Sequence, residues 1–321
     1  MEKWQQQLIR KLFHYSRARL DPEAAFQIKD RHLPSKLYKY RSFTDSHKDA
    51  LEAGVLWVSS PNKLNDPYEA AVTLDPNRFF VEDQSDAELS AAMKKKLEAG
   101  TLFDLEPLRN PVELRDIWRR NAEATLGNCY GDRTEKIIEI FATINTERNL
   151  KIVKELSDGF RRSLSILSLS EEPASDLMWS HYSSSHTGFL IEYDMNSLLP
   201  SDIRRRFCFP VFYTHKIRDI TRYIRKIDRS DLNNIFAHYI CLIKKADWQY
   251  EKEWRFIQAI GPDQANFKLS MPTPSAIVLG SCVSDEDASW MADFCRSRSI
   301  PMKRATQTAG RFGLIIKDAT A

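Results

Sequence analysis

The chain has 321 residues, enough for one large domain or two ordinary ones. Hydrophobic residues make up 42% and charged residues 28%, an ordinary soluble composition, and a formal net charge of +3 supplies no global field that would draw the chain to nucleic acid. Five cysteines, at 129, 208, 241, 282 and 295, form no C-x-x-C pair. That argues against a zinc ribbon or a redox pair; free thiols in a reducing compartment are expected, with no structural zinc and no disulfide. The N-terminal stretch lacks the apolar core of a secretory signal, and no apolar run approaches a membrane span, so a cytoplasmic protein without a membrane partner is expected.

Trp4, Leu8, Leu12 and Phe13 recur at helical spacing and predict an amphipathic helix over 2–18, within an N-terminal helical segment of about 1–30. "KLYKYRSF" alternates as a strand does. "TDSHKDALEAG" predicts a helix, with Thr44 or Asp45 at its start and Gly54 past its end. "VLWVSS" reads as a strand, and "PNKLNDPYEA" as turns. Residues 84–160 lose strand pattern and predict a mostly helical layer inserted outside the sheet. Strand character returns at "LSILSLS", followed by a helical "ASDLMWSHY" and the strand "TGFLIEYD". "FCFPVFY", "WRFIQAI", "AIVLG" and "RFGLIIKD" are further strands, and "DEDASWMADFCRS" is a late helix. The pattern is too irregular for a doubly wound repeat. It predicts an α+β domain over 31–321, with a mixed, split sheet and the helical insertion.

Four stretches are dense in chemistry. Lys39, Tyr40 and Arg41 end the first strand, where a ligand contact competes with charge protection of a sheet edge. Ser59 and Ser60 end the second strand and precede Asn65, Asp66 and Glu69; a structural Asx turn accounts for Asn65 and Asp66. Trp179, His181, Tyr182 and His186 crowd together before a strand and read as a ligand wall, although two histidines five apart are not a helical metal pair. In "WQYEKEWRF", Glu251 and Glu253 sit among aromatic rings, where a carboxylate needs a partner or a job. A fifth feature is basic. Arg218, Arg222, Arg225 and Arg229 form a helical stripe beside Ile217, Ile220, Ile224 and Ile227. It reads as a solvated face or as a contact for a nucleic-acid or protein partner.

"LYKYRS", "LWVSSPNKLNDPYE", "SLSEEPASDLMWSHYSSSHTGFLIEYD" and "KKADWQYEKEWRFI", in that order, resemble a widespread bacterial family known as domain of unknown function number 2971. The resemblance spans roughly residues 35–280 and implies that these blocks converge in space. A looser likeness is to the NAD-dependent ADP-ribosyltransferases, one branch of which carries an Arg, a Ser-rich strand and a Glu-x-Glu in chain order. Arg41, Ser59–Ser60 (or Ser168 and Ser170) and Glu251-Lys252-Glu253 stand in that order. The likeness implies NAD as substrate, with Glu253 as the catalytic carboxylate, Glu251 orienting the acceptor and Arg41 holding the pyrophosphate or ribose. It implies that Tyr38, Tyr40, Ser59, Ser60, Trp179, His181 and Tyr182 line the nucleotide site. Two other readings stand beside it. One is a metal-dependent nuclease or phosphohydrolase built on Asp66, Glu69, Glu251 and Glu253. The other is a module that binds a nucleotide or a partner without catalysis.

Overall fold

The structure is a computed structural model that describes residues 1–74, 151, 153–221, 223, 233–259 and 266–319. Within them the architecture is α+β, with a mixed, mostly antiparallel sheet. The strands are β1 (Lys36–Arg41), β2 (Val55–Ser59), β3 (Val72–Thr73), β4 (Leu164–Ser170), β5 (Phe189–Asp194), β6 (Cys208–Pro210), β7 (Phe212–Thr214), β8 (Arg218–Asp219), β9 (Ile243–Lys245), β10 (Glu253–Ala259), β11 (Asn266–Ser270), β12 (Ala276–Leu279), β13 (Met302–Gln307) and β14 (Leu314–Asp318). The main sheet has ten of these, ordered β11-β2-β4-β1-β5-β12-β13-β14, with β10 on β4 and β6 on β10. β3–β8 and β7–β9 are separate parallel pairs.

The sheet is split at β4, which has three neighbours. One edge of β4 pairs with β10 along its whole length, from Glu253↔Ser170 to Ala259↔Leu164. The other edge is shared. β1 meets it at Tyr38↔Ser170 and β2 meets it at Ser59↔Ile166. Both strands run antiparallel to β4, so beyond those two pairs they compete for the same residues, 167–169, and neither takes them. β1 and β2 therefore diverge as two jaws, each held by a further strand on its outer side: β5 on β1 and β11 on β2.

Helix α3 (Asp45–Glu52) connects the jaws. Thr44 Oγ1 caps it by accepting from His47 N, and Gly54 beyond it has φ +64°, a left-handed turn that glycine adopts without a Cβ penalty. One sheet face packs on helix α5 (Asp285–Ser297) through Met291, Phe294 and Cys295. The opposite face carries two clusters. Helices α1 (Lys3–Leu12) and α2 (Pro22–His32) deliver Leu8, Leu12, Phe13 and Ala25 against Ile166 and Ile257. Helix α4 (Asp176–Tyr182) delivers Met178 and Trp179 against Tyr38 and Tyr40. Side chains two apart on a strand share a face, and the β4–β10 register places Ser168, Ser170, Glu253 and Arg255 on the side of Ile166 and Ile257.

Several expectations are corrected. The predicted first helix stops at Leu12, and α2 follows as a separate helix whose N-cap Asp21 accepts from Ala24 N. "FCFPVFY" is two strands, because β6 pairs with β10 whereas β7 pairs with β9. β11 and β13 were not foreseen: "NFKLS" alternates but over only five residues, and "MKRATQ" lacks clean apolar alternation. Arg218 lies in β8 opposite Val72 and not on a helix; its guanidinium sits 5.1 Å from the Tyr239 ring centre. Arg222, Arg225 and Arg229 lie outside the described residues, as does nearly all of the 84–160 insertion; residues 153–163 are helical. Cys208, Cys241 and Cys295 are buried and unbridged, and Cys282 is exposed and unbridged.

Candidate functional site

Divergence of the jaws opens a cleft of about 390 Å³, within the usual range of small-ligand sites. Tyr38, Lys39, Tyr40 and Arg41 of β1 line one side, and Trp57 and Ser59 of β2 the other. Residues 166–170 of β4 form the back, while Asn65, Glu69, Tyr182, Lys244, Glu251, Glu253 and Arg255 complete the wall. The four sequence blocks therefore meet in one place although they span more than two hundred residues.

The electrostatic centre is a buried cluster. Arg255 is fully enclosed and makes a bidentate pair with Glu69, with both nitrogen–oxygen distances 2.6 Å. Its Nε also donates to Glu253 Oε1 at 2.8 Å, and its Nη2 to Glu253 Oε2 at 2.9 Å. Lys244 Nζ lies 2.5 Å from Glu251 Oε2, 3.1 Å from Glu253 Oε2 and 3.8 Å from Glu69 Oε1. The Glu-Lys-Glu triplet does not lie on one strand. Glu251 ends a 3₁₀ segment, Lys252 takes a left-handed conformation at φ 42°, and Glu253 begins β10. This turn brings both carboxylates onto one ammonium.

The two carboxylates differ in state. Burial opposes ionisation of Glu253, but Arg255 and then Lys244 outweigh it and hold its carboxyl well below the usual carboxylate range. Burial, and then the charge of Glu253, push the Glu251 carboxyl upward; Lys244 and the Tyr182 hydroxyl offset only part of this. Tyr182 donates to Glu251 Oε1 at 2.6 Å and accepts from Asn65 Nδ2 at 2.8 Å. Ser170 Oγ donates to the Glu251 carbonyl at 2.6 Å, and Ser168 bonds Glu253.

Lys39 and Arg41 are the counterpart of that cluster. Lys39 Nζ donates to the carbonyl of Ser168 at 2.7 Å, standing in for the ladder donor that the split removes. Burial, and then the nearby Arg41 charge, hold its amine well below the ordinary lysine value. Burial likewise lowers Arg41 to about 10. Among the described residues neither has a carboxylate at ion-pair distance. Arg41 is held where β5 passes closest: a Cβ on Gly188 would lie 2.1 Å from the Arg41 carbonyl, so only glycine fits.

Of the residues expected at the nucleotide site, Tyr38, Tyr40, Arg41, Ser59, Tyr182, Glu251 and Glu253 line the cleft. Three do not. Ser60 is buried, donates to the Arg161 carbonyl and caps the next turn. Trp179 is fully buried; its Nε1 donates to the Pro173 carbonyl and its ring stacks on His186, so it is core. His181 is exposed beside Tyr182 and Tyr250. One turn of helix separates these fates, because α4 turns Met178 and Trp179 to the sheet and the residues between them and Tyr182 to solvent. Lys244 and Trp57 were missed. A lysine following "CLI" and preceding the Glu pair was the available signal for the first, and a lone Trp on an otherwise aliphatic strand for the second.

Asp66 accepts from Tyr68 N at 2.9 Å and is turn chemistry, as expected. The other carboxylates of the nuclease reading are occupied by Arg255 and Lys244, and among the described residues no group of three His, Cys, Asp or Glu side chains is arranged for a metal ion. Among them, too, no helix is long and apolar enough to cross a membrane.

No curated protein and no solved structure matches the chain. Residues 178–256, which run from the Met178 wall of the cleft through Tyr182, Lys244, Glu251, Glu253 and Arg255, match the family model described as Protein of unknown function (DUF2971), and over that segment the chain is similar to this family.

Proposed function

We propose that the cleft binds NAD and that the chain transfers ADP-ribose from it to an acceptor. One observation carries the reading: two desolvated cations with no carboxylate partner among the described residues, Lys39 and Arg41, lie in one cleft with a carboxylate of raised proton affinity, Glu251. Half-buried cations of this kind suit a phosphate-bearing ligand, and Arg adds charge-assisted hydrogen bonds. In the reaction the ribose C1′–nitrogen bond breaks and its electron pair goes to the nicotinamide ring nitrogen, which loses its positive charge. The ribose gains oxocarbenium character, and the local negative charge of the Glu cluster stabilises it. The acceptor hydroxyl or amine forms its bond to C1′ and gives its proton to the Glu251 carboxylate. The geometry favours Glu251 over Glu253 for this role, because Glu253 is saturated by Arg255, Lys244 and Ser168 whereas Glu251 is the carboxylate poised to gain a proton.

A specific observation favours binding without catalysis as the second reading: both carboxylates already have full hydrogen-bond partners. Nicotinamide release and acceptor mass gain, followed with purified protein and NAD, separate the two. Turnover by the wild type and a loss of about a hundredfold or more in Glu251→Gln are expected. Tight NAD binding with no release of nicotinamide would overturn the transferase reading and leave the binding module.

A further inference from the structure

Trp57 belongs to the jaw opposite Lys39 and Arg41. It sits in the middle of β2, between Leu56 and Val58, which are buried on the other face of the strand. Its own face is the cleft face, because Ser59, two residues on, pairs with Ile166. An indole in mid-strand, between a strand partner and a packed core, would ordinarily be covered. Trp57 is 40% exposed, and it lines the cleft. Its neighbour across the β2–β11 ladder is Lys268, whose Nζ lies 4.8 Å from the ring centre. The ammonium lies over one face of the indole as a cation–π partner and holds the ring in place.

The split decides what the two jaws present to one ligand. β1 leaves β4 after Tyr38 and carries Lys39 and Arg41; β2 reaches it only at Ser59 and carries Trp57 before that pair. Both pass over the same unpaired residues, 167–169. The ladders turn Lys39 and Arg41 to the face of Ile191 and Phe189 and Trp57 to the face of Ile166. All three line the cleft because the sheet is open between the jaws, so an anion anchor and an aromatic platform meet across one gap. An occupant that satisfies both has a phosphate at one end and a planar ring at the other.

The geometry points to Trp57 as the stacking platform for the heteroaromatic base of a nucleotide whose phosphates lie on Lys39 and Arg41. This rests on the nucleotide reading of the cleft made above and adds the orientation of the ligand and the residue that selects a base. Stacking of a base on an aromatic side chain tolerates any base, so the platform selects nucleotides over ringless phosphates without choosing among bases.

The test compares ADP with inorganic pyrophosphate, which shares the phosphates and lacks the ring. Dissociation constants are measured by calorimetry for the wild type, Trp57→Ala and Trp57→Phe. Trp57→Ala is expected to weaken ADP about tenfold or more and to leave pyrophosphate within about twofold. Trp57→Phe, which restores a ring, should recover most of the loss. ADP should also quench tryptophan emission in the wild type, and markedly less in Trp57→Phe. ADP binding unchanged in Trp57→Ala, or equal weakening of ADP and pyrophosphate, overturns the platform while the nucleotide reading stands. A wild type that binds neither overturns both.

Discussion

Glu251 and Glu253 share a single ammonium: Lys244 Nζ lies 2.5 Å from an oxygen of the first and 3.1 Å from an oxygen of the second. Two carboxylates would not be buried side by side without it, since each desolvated charge needs a partner. With Arg255 and Glu69 the arrangement ties four segments of chain together: the turn after β2, β9, the 3₁₀ segment and β10. Its members divide into those that hold the fold and those free to do chemistry.

Glu253, saturated by Arg255 and Lys244, is expected to serve the scaffold. Glu253→Gln leaves Arg255 and Lys244 buried with one counter-ion fewer, and a loss of about 3 kcal/mol in unfolding free energy is expected, at the lower end for breaking a buried pair. The pH dependence follows from the depressed folded-state carboxyl. Its contribution is present above the unfolded value of about 4.5 and is lost as pH falls through the folded one. Urea titrations at neutral pH and in acid check both points. An unchanged midpoint at neutral pH would remove Glu253 from the scaffold.

Tyr182 tunes Glu251. Its hydroxyl donates to Glu251 Oε1 and lowers that carboxyl against the larger upward push of burial and of Glu253. Removing the donor in Tyr182→Phe raises it further. A general base works when deprotonated, so the acid limb of the pH–rate profile for nicotinamide release should move to higher pH in Tyr182→Phe. A limb that stays in place, or moves down, contradicts Glu251 as the base.

Lys39 is expected to couple anion binding to protons. In the open cleft its amine is held below the ordinary value of 10.5, so the folded chain carries fewer protons there than the unfolded chain does. A bound phosphate favours the ammonium, and binding then takes up a proton. Pyrophosphate affinity should weaken as pH rises toward 10.5, and Lys39→Met should flatten that dependence. Calorimetry in buffers of different ionisation enthalpy reads the proton directly; zero uptake at every pH would refute the coupling.

Trp179 is core. Trp179→Ala should cost about 3–5 kcal/mol in stability, as for other buried aromatic truncations. Trp179→Phe, folded and milder, should bind ADP as the wild type does. A Trp179→Phe chain of normal stability that loses ADP would return Trp179 to the ligand wall.

Local pattern was enough for much of the fold. Alternation in "KLYKYR" and "LSILSLS" marked β1 and β4, and Thr44 and Gly54 bracketed α3, because period and caps act within a few residues of themselves. β11 escaped because its alternation is only five residues long, and β13 because "MKRATQ" has no alternation and becomes a strand by pairing with β12 and β14. The same limit applied within α4: crowding before a strand grouped Trp179 with Tyr182 in one ligand wall, and only packing against Tyr40 separated the core ring from the cleft ring.

By itself the sequence determined that the chain is an α+β protein of mixed sheet, that its chemistry gathers in four blocks, and that a pair of carboxylates among aromatic rings required partners. Those are properties of composition and short-range order. The partners themselves, Lys244 and Arg255 for the carboxylates and an open gap for Lys39 and Arg41, were decided by tertiary structure. The physical reason is that the site is made by a competition between two strands for one edge of β4. Such competition has no local signature: β1 and β2 each read as ordinary strands, and the cleft exists only because both cannot occupy residues 167–169.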